Sequence, residues 1–397
     1  MKIKIINGKV LTPYRIINDG TVLIDGGRIK AVGDKNEDTP DYTVLDAKGN
    51  YIAPGFIDIH THGGGGHDFL DSTVEAFIGA AEKHAQHGTT ALSPTTAASN
   101  MEELKRTFEV YEKAKKIDSM GASFIGLHLE GPYFSMEQRG AQDPRYIKNP
   151  DPKEYKEVVT WSKDIFRWSA APELDGALEF GAFLRDRGIL PSVAHSDAVY
   201  EQVLEAFEYG FTHMTHLYSG MSGVRRINAF RYAGVIESAY LIDEMTVEII
   251  ADGCHLPASL LKMIYKIKGP EHIALITDSM RAAGQLEGES ILGSLEDGQR
   301  VIIEDGVAKL PDRKSFAGSV ATCDRLVRNM VNLADVPLID AVRMMTSTPA
   351  RIAGLGNSKG SIVPGKDADI VIFDNNINVK MTIVQGKIIF DRLSKVE

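Results

Sequence analysis

Hydrophobic and polar positions follow two rhythms along this chain, and the points where the rhythm changes divide it. From Met1 to about Ala53, short apolar/polar alternations are broken by Asn7-Gly8, Asp19-Gly20, Asp25-Gly26-Gly27 and Lys48-Gly49-Asn50, which predicts short β-strands joined by turns. No helix fits there. The same texture returns after residue 356, where Gly360-Ser-Ile-Val-Pro-Gly-Lys-Asp-Ala-Asp-Ile-Val-Ile-Phe-Asp leads to Lys380-Met-Thr-Ile-Val-Gln-Gly-Lys-Ile-Ile-Phe. Neither end alone makes an adequate core, so residues 1–53 and 356–397 are expected to pair as one small, discontinuous β-sandwich domain.

Between them, short apolar runs alternate with segments of helical length, the mark of repeated βα units and a parallel sheet. The runs begin at Phe56, Thr89, Ser123, Phe166, Leu190, Phe211, Val247 and Ile273. Eight such units predict an α/β fold, a (β/α)8 TIM-like barrel over residues 54–355. Helices are expected from Val74 to His87, Met101 to Lys116, Ala177 to Asp186 and Tyr200 to Tyr209, with Gly88, Gly188 and Gly210 as helix stops. A hairpin-like insertion from Leu295 to Leu310 follows the eighth run and is a candidate wall or lid.

Composition narrows the function classes. The chain has 397 residues, 43% hydrophobic and 25% charged, which is globular and excludes disorder. The net charge of -10 offers no footprint for nucleic acid or an anionic membrane, though one local arginine still permits a small anionic substrate. Cys254 and Cys323 lack metal-type spacing and fit two buried thiols in a reducing compartment. No signal-peptide core is seen, nor the run of roughly 18 apolar residues that spans a membrane, so a cytoplasmic location is expected.

Nearly every predicted strand starts apolar and ends in a group that binds metal or moves protons, as expected where the C-terminal face of a barrel carries the active site. His60 and His62, two apart on one strand, share a face and can reach one metal ion. Glu130 ends the third run, where a carboxylate can hold one cation or bridge two. His195 and His216 end the fifth and sixth runs and add neutral nitrogen ligands. Asp278, ending the eighth, is placed to take a proton from a metal-activated water and pass it to a leaving group. His255, past the seventh strand, is a candidate substrate contact. His213, three residues before His216, is expected to face away and be structural. His128 is expected beneath Glu130 as a support, and His84 and His87 near a helix C-terminus, without function.

Taken together, Pro54-Gly-Phe-Ile-Asp-Ile-His-Thr-His-Gly, Gly126-Leu-His-Leu-Glu-Gly-Pro, Ala194-His-Ser-Asp, Thr215-His-Leu-Tyr, Ala251-Asp-Gly, Thr277-Asp and Ala317-Gly-Ser resemble the amidohydrolase superfamily. Within it they resemble the N-acetylglucosamine-6-phosphate deacetylase family, over nearly the whole chain. The resemblance implies Glu130, His195 and His216 as principal metal ligands, His60 and His62 at a second metal position, Asp278 as acid/base and His255 as a substrate contact. It also implies one or two divalent ions, zinc or iron, a phosphorylated amino sugar as substrate, and a homodimer whose neighbouring subunit helps complete the phosphate site. The sequence departs from that family at substrate-contact positions. Ser219-Gly220 stands where Asn-Ala is usual, Gln142 where His is frequent, and Arg231 is the expected phosphate contact after a longer stretch than usual. Another amino sugar, such as the galacto epimer or an unphosphorylated N-acetylhexosamine, is the alternative substrate. A non-catalytic scaffold is disfavoured because every expected metal and proton-transfer position is filled.

Overall fold

The computed structural model describes residues 1–33 and 39–394. The N-terminal rhythm folds as strands Lys2–Leu11, Ile16–Asp25, Arg28–Gly33, Thr43–Asp46 and Tyr51–Pro54. The C-terminal one gives Ile370–Phe373, Val379–Val384 and Lys387–Asp391. Tyr51–Pro54 pairs antiparallel with Ile370–Phe373, so the two ends of the chain share one eight-stranded sheet. Its apolar face buries Ile3, Ile5, Val22, Ile52, Ile370 and Ile383. Two expected turns are something else. The chain runs straight through Asn7-Gly8 and Asp19-Gly20, with Asn7 and Asp19 at φ 55 and 51° and the register shifting around Gly8. An extra left-handed residue in each strand is absorbed as a bulge, which sharpens twist without reversing the chain.

The Pro364-Gly365-Lys366-Asp367-Ala368-Asp369 segment stitches the ends together. Gly365 N–H donates to Ile29 O at 2.8 Å and Ala368 N–H to Gly27 O at 2.9 Å. Buried Lys359 pairs with Asp369 at 2.6 Å and Asp367 at 3.0 Å, and Asp369 also accepts from Gln385 N–H at 2.8 Å.

All eight apolar runs of the middle segment become strands, and they pair in parallel. Phe56–Thr61, Thr89–Pro94 and Ser123–Phe124 form one sheet. Leu127–Glu130, Ile165–Ala170, Leu190–Val193, His213–Met214, Thr246–Ile249 and Ile273–Leu275 form the other. At one seam Thr96 N–H donates to His128 O at 3.0 Å; at the other Asp278 N–H donates to His60 O at 2.9 Å. Each run is largely apolar because both of its faces are covered. The expected helices appear as Val74–Ala85, Met101–Ala114, Ala177–Arg185 and Tyr200–Glu208, each ending slightly early because the last residues serve as caps. No helix among the described residues is long and apolar enough to cross a membrane.

The first of these helices shows how the fold supports the site. Thr73 accepts from Ala76 N–H at its start, and Phe77, Ala80, Ala81 and His84 form its buried stripe. His84, expected near a helix C-terminus without function, does more than end the helix. It is fully buried, its Nε2 bonds Gly63 O at 2.9 Å, and burial lowers its pKa to about 4, so a neutral imidazole braces the glycine run after His62. The insertion after the eighth run begins earlier than expected, as an antiparallel sheet of Gly288–Leu292, Gln299–Glu304 and Val307–Lys309. Arg281 pins it, donating to Ile291 O and Gly293 O while pairing with Asp71 at 2.6 Å.

Asp369→Ala leaves Lys359 with one partner and Gln385 N–H with none, so a loss of about 3 kcal/mol is expected, the low end for a broken buried pair because Asp367 remains. An unchanged urea midpoint would remove this pair from the list of things holding the ends together. His84 makes a pH prediction. Its folded pKa lies below the 6.5 of an unfolded histidine, so the unfolded chain binds the extra proton: its contribution is complete above about pH 6.5 and is lost as pH falls toward 4, by about 3 kcal/mol. His84→Gln, which keeps a donor for Gly63 O, is expected to lose less stability than wild type between pH 7 and 4.5; parallel losses in urea titrations would refute it.

Candidate metal centre and active site

The parallel strands deliver their C-terminal ends to one place. His60 and His62 do share a face, with their Nε2 atoms 3.4 Å apart. Glu130 lies between them and the opposite wall: its Oε2 is 3.3 Å from His62 Nε2, and its Oε1 is 2.8 Å from His216 Nε2 and 3.4 Å from His195 Nε2. Two buried donor groups result, His60/His62/Glu130 and Glu130/His195/His216, the ligand atoms in each within 4.8 Å of one another. Four imidazoles sharing a carboxylate make a nitrogen/oxygen donor set suited to zinc or iron. Asp278 Oδ1 completes the cluster, 3.3 Å from His60 Nε2 and 3.2 Å from His62 Nε2.

Three of these residues adopt a backbone conformation that strand periodicity does not anticipate. His195, His216 and Asp278 have φ of 45, 30 and 46°, left-handed values that a side chain tolerates only when the surroundings enforce them. Each lies just past its strand and turns its side chain inward there. Gly220 belongs to the same device: a Cβ on it would lie 2.6 Å from His195 Nδ1 and 2.7 Å from Gln138 O, at φ 58°. Only glycine lets the loop close over His195, whose Nδ1 then donates to Gln138 O at 2.8 Å and leaves Nε2 to the centre.

Electrostatics make the place cationic by demand. Burial alone would raise the pKa of Glu130 and Asp278, yet the charge of His60 and hydrogen bonds from neighbouring imidazoles outweigh it and hold both below the usual carboxylate range. Reciprocally, burial opposes a charged His60, but Asp278, Glu248 and Glu130 lift it to about 9, and His62 is raised well above its ordinary value. Carboxylates that hold protons on histidines this firmly favour any cation placed among them, and a divalent ion competes with those protons for the same nitrogens.

Two charged residues that the sequence reading passed over lie directly beneath. Glu248 Oε2 is 3.0 Å from His60 Nδ1, and Glu248 forms a fully buried ion pair with Arg167. Arg167 also donates to Ile59 O at 2.9 Å and contacts His128 Nδ1 at 2.7 Å. Each was visible as a lone charge inside an apolar strand run, a costly placement that signals a partner. His128 lies against the donor set, packed edge-on on His60 at 4.6 Å. His213 departs from its expected direction. Its strand ends at Met214, so alternation does not carry through to His216, and His213 Nε2 lies 3.5 Å from the same Glu248 while Nδ1 bonds Thr246 Oγ1 at 2.7 Å.

Above the cluster opens a cavity of about 360 Å³ whose floor is His62, Glu130, His195, His216 and Asp278. Gln142, Ser219, Gly220 and His255 reach it as expected. Both ends of the Gln142 amide are engaged, Nε2 with Glu130 at 2.9 Å and Oε1 with Ala98 N–H at 2.9 Å, so it braces Glu130. His255 is held through Nδ1 by Asp252 at 2.8 Å and packs against Phe316, which follows the inserted sheet and bridges to its last strand at Lys309. Arg231 is not brought to this cavity. It pairs in register with Arg226 on an antiparallel hairpin whose residues face solvent, while Arg225 is tied to Asp197. Among the described residues, no lysine or arginine lines the cavity, whereas Glu103, Asp143 and Asp297 do.

Similarity to known proteins agrees with this geometry. The chain is 32% identical over 386 residues to the N-acetylglucosamine-6-phosphate deacetylase of Bacillus subtilis, covering 96% of this chain and 95% of the relative. It is 30% identical to an Escherichia coli O157:H7 protein named N-acetylgalactosamine-6-phosphate deacetylase, covering 96% and 97%. The structure of a mutant of the Mycobacterium smegmatis N-acetyl-D-glucosamine-6-phosphate deacetylase, in complex with N-acetyl-D-glucosamine-6-phosphate, superposes with a TM-score of 0.89 at 30% identity, over 98% of this chain and 99% of the other. Residues 51–389 match the amidohydrolase family model, and with the buried histidine–carboxylate centre at the strand ends they make this chain a member of the amidohydrolase family.

Proposed function

We propose that this protein removes the acetyl group of N-acetylglucosamine 6-phosphate, giving acetate and glucosamine 6-phosphate. The observation that carries this reading is the convergence of Asp278 on the five-residue donor set at the floor of a substrate-sized cavity, in a chain aligned end to end with relatives of that name. Glu130, His195 and His216 would hold a divalent cation, zinc or iron, and His60 with His62 a second. Such an ion supplies Lewis acidity, acidifying a water and polarising the acetamide carbonyl. Asp278, ionised and buried, accepts the proton as the water oxygen bonds to the acyl carbon. It returns that proton to the nitrogen as the carbon–nitrogen bond breaks, because the amine departs only when protonated. His255, its Nδ1 fixed by Asp252, offers Nε2 to a substrate oxygen.

The same reading takes the two curled sheets as one closed (β/α)8 barrel over residues 54–355, supported by the hydrogen bonds at both seams, with residues 1–53 and 356–397 as a β-sandwich beside it. It also takes the protein as a homodimer. The exposed hairpin that carries Arg226 and Arg231 supports this, because a phosphate in a cavity lined by no lysine or arginine among the described residues needs a guanidinium from elsewhere. An N-acetylhexosamine without phosphate is the second reading, favoured by a cavity lining without lysine or arginine among the described residues, although its carboxylates Asp143 and Asp297 are paired with Arg145 behind them.

Asp278→Asn is expected to lower turnover by about 10³-fold, within the range for a general acid–base, with bound metal unchanged by elemental analysis; an active mutant would remove Asp278 from proton transfer. Acetate release from N-acetylglucosamine 6-phosphate, its galacto epimer and the unphosphorylated sugars separates the two substrate readings. Under the phosphate reading, Arg231→Ala raises KM for the gluco phosphate by about 10- to 100-fold, the loss of one charge-assisted contact, and leaves unphosphorylated sugars unaffected. Dominant turnover of an unphosphorylated sugar would replace that reading with the second.

A further inference from the structure

We propose that Glu248, held by Arg167, is the positioning residue for the His60 side of the metal centre. It fixes the His60 ring with the Nε2 lone pair turned toward the ion and ties that ring to the backbone of His216. The inference rests on the reading of His60 as a metal ligand, and it adds a residue pair to which neither the family resemblance nor the relatives' names assign a role.

Glu248 and Arg167 are both fully buried, on strands Thr246–Ile249 and Ile165–Ala170 whose neighbouring positions are apolar. Burying such a pair brings little or no net stability, since apolar residues of similar volume serve a core as well or better. Packing alone therefore does not account for these two residue types.

Geometry supplies what packing does not. Ionised Glu248 can only accept, so its Oε2, 3.0 Å from His60 Nδ1, places the ring proton on Nδ1. Nε2, which faces His62, Glu130 and Asp278, is then the nitrogen whose proton a divalent ion would displace. The same Oε2 accepts from His216 N–H at 3.3 Å, so one oxygen reaches arms of both donor groups. Arg167 anchors the other oxygen and is itself oriented by Ile59 O, on the strand that carries His60. Its contact with His128 Nδ1 requires that nitrogen to accept, which puts the His128 proton on Nε2, 2.7 Å from Ser169 Oγ. His128 is thereby a neutral ring packed against His60 rather than a rival for the carboxylate. Carboxylates of this kind behind a metal-binding histidine typically account for 10- to 100-fold in metal affinity.

The test is zinc binding by the full-length protein, titrated against a chromophoric chelator, with melting temperature recorded for each variant. His60→Asn defines what losing the His60 arm looks like. Glu248→Gln is expected to weaken the His60-side zinc by about 10- to 100-fold, to leave the zinc held by His195 and His216 in place, and to add nothing on the His60→Asn background. Because Glu248→Gln leaves a buried guanidinium unpaired, the double variant R167M/E248Q, free of both charges, is measured beside it; the same selective zinc loss is expected in a stably folded protein. Unchanged zinc affinity in either folded variant overturns the proposal. So does a loss that falls equally on both zinc positions or adds to that of His60→Asn, since either describes a merely structural pair. If His60→Asn itself leaves zinc binding unaltered, His60 is no ligand and the proposal falls with that reading. Acetate release stays an independent measure: deacetylation with unaltered zinc binding sinks only this inference, and selective zinc loss without deacetylation sinks only the proposed activity.

Discussion

The carboxylates of Glu130, Glu248 and Asp278 lie in an interior where an unmatched charge costs several kcal/mol, and the surrounding architecture can be read as their matching. His60 and His62 are drawn toward the charged form by them, Arg167 neutralises Glu248, and His195 and His216 converge on Glu130. Even the braces obey the same constraint. Gln142 spends its amide on Glu130, and Asp252 is matched by His255 and two backbone N–H groups.

Such a concentration of charge is tolerable because parallel strands bring it to one level of the fold. The strands are largely apolar and carry most of their charged groups at their C-terminal ends, with Arg167 and Glu248 as a matched pair one level beneath. The cost is paid locally in backbone strain at His195, His216 and Asp278, all left-handed. Rigid neighbours hold these residues in place: the glycine run braced by His84, and Gly220 against His195.

The wall above this layer belongs to a different structural category. It comes from the inserted antiparallel sheet, pinned by Arg281 and Asp71, and from loops that carry Ser219, Gly220 and Gln142. The centre at the strand ends is dictated by electrostatics, and the wall joins it where Gln142 braces Glu130 and Gly220 closes over His195; elsewhere that wall presents carboxylates and no lysine or arginine among the described residues.

The sequence by itself determined the alternation of strands and helices, the pairing of the two ends, and the donor set His60, His62, Glu130, His195, His216 with Asp278. These follow from local pattern, because polar ligands at the ends of apolar runs stand out against their neighbours. Only the tertiary structure decided what depends on proximity across the fold. Asn7 and Asp19 became bulges when the strands around them paired, His84 lost its charge when the helix packed over Gly63, and His213 turned toward Glu248 once its strand stopped at Met214. Arg167 and Glu248 stood in the sequence as two unexplained charges in apolar runs, and Arg231 as the natural phosphate contact. Three-dimensional packing joined the first two beneath His60 and left Arg231 on an exposed hairpin, because long-range distance, which no local periodicity encodes, sets which charges meet.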